Sequence, residues 1–156
     1  MPNELAFQTL TVKSVREADG FAFKLTNKFL VGVPDLFIHL PPFGTGIWEV
    51  KKATYRNMDT WFEEKLNRQI KVALSGLQNK FLRDFTNRGG MGGVISFVEG
   101  RRDDYMAAFP YEVISYGDST LPRFVTSSLA YSKLERGHRE RIIVDVLERA
   151  YGRTEV

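Results

Sequence analysis

Apolar residues along the chain alternate between two periodicities. Residues Asn3–Ala18 predict a helix, and Phe21–Thr26, Asp35–Leu40, the segment around Trp48–Lys51, Val94–Val98 and Tyr105–Phe109 predict strands. Leu77–Thr86 predicts a second helix. His138–Tyr151 predicts a third, with Ile142, Ile143, Val146, Leu147 and Ala150 on one face and Arg139, Arg141 and Arg149 off it. Between the strand at Glu49 and Leu77, the charged stretch Trp61–Leu74 reads as a short helix. Strands and helices interleave, so the expectation is one α/β domain over residues 1–156, a mixed β-sheet flanked by helices. The apolar face of the last helix is expected against that sheet or a second subunit.

The segment with most chemistry runs from Gly32 to Lys51. Pro34 fits only at a strand start, and Pro41-Pro42-Phe43-Gly44-Thr45-Gly46 reads as a turn, so the Asp35 and Glu49 strands should form a hairpin. Glu49 and Lys51, two apart, leave one face of their strand, while Trp48 and Val50 leave the other. With Asp35 set opposite Lys51, Phe37 faces Glu49, and the two carboxylates become diagonal neighbours roughly 7–8 Å apart at the backbone. Two carboxylates that converge can hold one hard cation. A phosphodiester gains negative charge as it is cleaved, and Mg²⁺ on oxygen ligands offsets that charge. Asp35, Glu49 and the Val50 carbonyl would be the ligands, with Lys51 holding or deprotonating the attacking water. The competing reading is a solvent-facing hairpin with an ordinary cross-strand ion pair.

Gly32-Val33-Pro34-Asp35 followed by Glu49-Val50-Lys51 resembles the PD-(D/E)xK nuclease superfamily. Ser75-Gly76-Leu77-Gln78-Asn79-Lys80-Phe81-Leu82 and the strand Gly93–Val98 are similar to the Gln-bearing helix and following strand of Holliday junction resolvases, RecU-type above all. The resemblance spans about Val31 to Val113. It implies a restriction-endonuclease-like core and a homodimeric, Mg²⁺-dependent endodeoxyribonuclease acting on branched DNA, with Mn²⁺ able to substitute. Its catalytic set would be Asp35, Glu49, Lys51 and Gln78. Val33 stands where RecU-type enzymes usually carry Thr, and their stalk is not evident; the pattern around Asp35 and Gln78 is shared with VRR-NUC nucleases, the second choice. Glu4, on the first helix, loosely matches a family Glu that joins the metal cluster, although a first-turn Glu also complements the helix dipole. Gln78 likewise has a structural reading, because Ser75-x-x-Gln78 satisfies a capping box.

Charge distribution agrees with a polyanionic partner. The chain is +3 overall, but Lys51–Arg88 carries nine basic residues against four acidic, a net +5 that leaves −2 elsewhere. Lys52, Arg56, Lys65, Arg68, Lys71 and Lys80 are the candidate DNA contacts; the alternative is a solvated helix face. There are no cysteines, which excludes disulfides and Cys-based zinc sites, and His39 and His138 are isolated. Gly89–Gly93 follows a helix and precedes a strand, the reverse of a phosphate loop, and reads as a connector. No apolar run approaches membrane-spanning length, so a soluble, cytoplasmic protein without small-molecule cofactor is expected. Twelve Phe, six Tyr and two Trp suggest an interface beyond the core, with Trp61, Phe62 and the Ile142–Ala150 face as contributors to a homodimer. Set against the nuclease readings is a DNA-binding module that keeps the fold without catalysis.

Overall fold

The computed structural model describes residues 3–25, 31–54, 74–99, 103–114 and 128–154. Helix α1 (Glu4–Glu17) precedes β1 (Phe21–Lys24), β2 (Leu36–Leu40) and β3 (Gly44–Thr54). Then come α2 (Gly76–Asn87), β4 (Gly92–Glu99), β5 (Asp104–Pro110), a short α3 (Tyr111–Ile114), β6 (Ala130–Leu134) and α4 (Arg139–Thr154). The six strands lie side by side in chain order. Among the described strands only β3 and β4 pair in parallel, and the segment joining them carries α2, as a parallel pair requires a long connection. The protein is therefore α/β with a mixed sheet flanked by helices.

Local chemistry sets the helix starts. Asn3 Oδ1 accepts from the Ala6 amide at 2.8 Å, and Glu4 adds a favourable charge in the first turn of α1. The centre of the sheet is buried on both faces, so β4 is apolar almost throughout, as strands covered from two sides are. On one face Leu36, Ile38, Trp48, Val50 and Phe97 pack with Phe7 and Val15 of α1 and with Ile143, Val146, Leu147 and Tyr151 of α4. On the other, Ile47, Val94, Val98 and Phe109 pack under Leu82 of α2.

Tyr151 ties α4 to the sheet centre. Its hydroxyl accepts from Trp48 Nε1 at 3.0 Å and donates to the Ile38 carbonyl at 2.8 Å. Burial pushes its phenol well above the ordinary range. Gly46 makes room, since a Cβ there would stand 2.9 Å from Trp48 Nε1 and 3.0 Å from the Tyr151 hydroxyl.

Several sequence expectations need correction. The apolar face of α4 is spent on its own sheet, so Ile143, Val146, Leu147 and Ala150, all fully buried, do not supply a subunit interface. Gly44, Thr45 and Gly46 belong to β3, which leaves Pro41-Pro42-Phe43 as the loop and pairs Leu40 with Gly44. The register accordingly sets Phe37 against Ile47 and Leu36 against Trp48, two residues away from the expected pairing of Phe37 with Glu49. Gly92 and Gly93 open β4; a Cβ at Gly93 would fall 1.9 Å from the Phe109 carbonyl oxygen, so the strands approach there only without a side chain. Strand β6 and helix α3 were not anticipated. Trp61, Phe62 and the stretch expected as a short helix lie outside the described residues, apart from Leu74. Among the described residues no helix is long and apolar enough to cross a membrane.

Candidate functional site

Continuing the β2–β3 register one step beyond Leu36 and Trp48 brings Asp35 across from Glu49, directly rather than diagonally. Strand β2 ends there, while β3 runs on to Thr54. Two carboxylates take the place of the missing strand neighbour. Asp35 Oδ2 accepts from the Val50 amide at 2.8 Å, and Glu4 Oε1 accepts from the Lys52 amide at 3.0 Å. Because N–H and C=O of one strand residue point to the same side, the Val50 carbonyl is directed to the edge that Asp35 occupies.

The loop before Asp35 rests on the start of α2. Gly32 has φ +90°, and a Cβ there would lie 2.6 Å from the Leu77 carbonyl carbon, so only glycine allows this approach. The same contact sets Gln78 over the sheet. Its amide nitrogen donates to Glu49 Oε1 at 2.8 Å, while its amide oxygen accepts from the Ser75 backbone at 2.9 Å. Ser75 Oγ accepts from the Gln78 backbone at 3.1 Å, completing the capping box. The structural and site roles considered for Gln78 are thus both satisfied by one carboxamide.

Glu49 is only 3% exposed. Lys51 Nζ stands 3.5 Å from the Oε1 that also meets Gln78. The other oxygen, Oε2, is buried and has no hydrogen-bond partner among the described residues. Burial, reinforced by the Asp35 carboxylate beside it, pushes the Glu49 carboxyl up to about 8 despite the opposing pull of Lys51. Without a cation, Glu49 holds a proton at neutral pH. A buried Glu49 carboxyl with one oxygen unpartnered among the described residues, beside the half-buried Asp35 carboxylate and a backbone carbonyl, is a hard-oxygen donor set suited to a divalent cation such as Mg²⁺. Asp35, Glu49 and Val50 could hold it. Glu4 is anchored on the neighbouring amide of β3, and among the described residues no cluster of three or more potential side-chain ligands forms.

Ser96 escaped the sequence reading. It pairs with Lys51 across the parallel strands, shares the α2 face of the sheet, and its buried hydroxyl has no partner among the described residues. The one available hint was a lone hydroxyl in the apolar run Val94–Val98. His39 is placed away from this chemistry, with Nδ1 2.6 Å from Thr45 Oγ1 across the hairpin.

The expected basic contacts divide. Lys52 Nζ is 2.8 Å from Glu99, which lowers the Glu99 carboxyl and partly neutralises the lysine. Lys80 is exposed on α2, the helix that carries Gln78. Arg56, Lys65, Arg68 and Lys71 lie outside the described residues. No protein-family model matches the chain, and no curated protein matches it in sequence.

Proposed function

We propose that this protein is a Mg²⁺-dependent endodeoxyribonuclease of the PD-(D/E)xK type that cleaves branched DNA, four-way junctions foremost, as a homodimer. The observation that carries the reading is the buried Glu49 carboxyl, one of whose oxygens is unpartnered among the described residues, opposite Asp35 and flanked by Lys51. A Glu49 carboxyl buried beside the Asp35 carboxylate is costly to fold and serves no purpose in a protein that only binds a polyanion. A bound divalent ion would polarise a phosphate oxygen and lower the pKa of a water.

Each residue then has a role within reach of its position. Asp35, Glu49 and the Val50 carbonyl would hold the cation. Lys51 would orient the attacking water, accept or relay its proton, and offset charge on the phosphoryl oxygens. Gln78, bonded to Glu49 from a helix start, would keep that carboxylate in its ligating orientation. Lys80 offers a phosphate contact on the same helix.

The test is a cleavage panel of four-way junction, flap, fork and linear duplex in Mg²⁺, with Ca²⁺ and chelator controls. Paired nicks on opposing strands of the junction, made by a species of twice the chain mass, are the expected result. A monomer that cuts flaps or linear ends would favour the VRR-NUC-like alternative, and metal-dependent binding or none, without cleavage of any substrate, would defeat the nuclease reading.

A further inference from the structure

Helix α2 packs over β4 on the site face of the sheet, and that face is more exposed at the edge strand β1. There, three phenylalanines form an aromatic surface. Phe23 and Phe37 stack at 4.9 Å with 19° between their planes, and Phe21 meets them edge-on at 5.6 and 6.3 Å. Phe21 is 61% exposed and Phe23 36%. Register places these rings on the face that carries Glu49 and Lys51: Phe21 pairs with His39, Phe23 with Phe37, and Phe37 with Ile47. Phe37 is two residues from Asp35, about 7 Å along a strand.

Leaving two large rings in water on an edge strand is unfavourable unless something covers them. Behind the same strand lies a groove lined by Thr9, Val12, Lys13, Arg16, Glu17 and Lys24. Lys13 is shared between Glu17 and Glu140, but Arg16 and Lys24 have no carboxylate within ion-pair distance among the described residues. Strand β1 therefore carries stacked rings on the site face and, behind it, Lys24 and Arg16, which donate only to the neutral Thr9 hydroxyl and Ala22 carbonyl; around this sheet edge bases can stack while phosphates meet positive charge, the combination that holds an unpaired strand.

We propose that Phe21 and Phe23, backed by Phe37, form a stacking platform for unpaired nucleobases of a DNA strand whose backbone passes Lys24 and Arg16. The platform deepens the nuclease reading and rests on it for its biological setting, since it would select substrates with unstacked nucleotides close to the cut.

Binding of a fluorescent single-stranded oligonucleotide to full-length protein in chelator tests the platform independently of cleavage. Phe21→Ala with Phe23→Ala should weaken binding on the order of tenfold to a hundredfold, while perfectly paired duplex binding changes little. Phe21→Leu with Phe23→Leu, which keeps apolar bulk, should weaken it too, and Phe21→Trp should retain it. Unchanged affinity in the alanine protein would overturn the platform, as would undiminished binding by the leucine protein. If wild-type protein binds single strands through these rings yet cuts nothing in Mg²⁺, the platform stands and the nuclease reading falls. If it cuts but binds single strands equally well without the rings, the nuclease reading stands and the platform falls. If light scattering shows a dimer that the alanine changes reduce to the chain mass, the rings are a subunit interface and the platform is overturned.

Discussion

Gln78 donates to Glu49 Oε1 at 2.8 Å with the amide group whose oxygen caps its own helix at Ser75. Helix start and carboxylate orientation are therefore coupled through one side chain. The two roles can be separated by substitution. Gln78→Glu keeps an acceptor for Ser75 but sets a further carboxyl against Glu49 in place of the donor, so it should cut poorly and lose stability as pH rises although the cap is intact. Ser75→Ala removes the cap while leaving Gln78 opposite Glu49; it should lose about 0.5–2 kcal/mol in denaturant titrations and retain most cleavage.

Asp35→Asn and Glu49→Gln should each abolish Mg²⁺-dependent cleavage while DNA affinity in gel-shift assays holds or rises, because each would remove a proposed metal ligand and Asp35→Asn also a negative charge near phosphate. Substantial cutting by either protein would sink the metal assignment. Ca²⁺ should support binding without turnover, its looser geometry positioning a nucleophile poorly.

Lys51→Ala should reduce turnover by orders of magnitude with a small change in stability, as its amine is a site cation and not a core contact. Single-turnover rates and melting curves on the same preparation check both halves of the expectation.

Glu49 makes stability depend on pH with a defined sign. Its folded pKa, about 8, lies above the ordinary 4.5, so the folded state retains a proton that the unfolded chain has released. That contribution is complete below about pH 4.5, declines as pH rises through 8, and is flat beyond. Asp35→Asn should flatten the decline by removing the neighbouring charge. Mg²⁺ competes with the proton, so the rise in Tm it produces should grow with pH up to about 8 and be absent in Glu49→Gln.

Tyr151→Phe should cost about 1–3 kcal/mol, since it leaves the Trp48 indole N–H without its buried acceptor and the Ile38 carbonyl without its donor. Cleavage should persist at temperatures where the variant is folded.

Much of this architecture was legible because local chemistry and tertiary position agreed. The turn residues at Pro41–Phe43, the period-two spacing of Glu49 and Lys51, and the Ser75–Gln78 box each mark their element without outside help. The exact pairing did not follow, because Gly44 and Gly46 suit either a turn or a strand; β3 takes them since Tyr151 and Trp48 need the space over Gly46. Strand β6, Ala130–Leu134, carries Tyr131, Ser132 and Lys133 between its buried ends, too polar a run to stand out. Glu49's burial was equally hidden, because the cover comes from α2, nearly thirty residues later in the chain. Ser96 needed the parallel register to connect it to Lys51.

The carboxylates of Asp35 and Glu4 also guard a vulnerable border. Where β2 stops, β3 would offer the amides of Val50 and Lys52 to any passing extended chain, the usual starting point for edge-to-edge aggregation. Acidic side chains occupy those donors instead and repel a flat neighbour. Replacing both with alanine would therefore expose an adhesive ribbon beside the candidate site, and the doubly substituted protein should precipitate where the wild-type chain stays in solution.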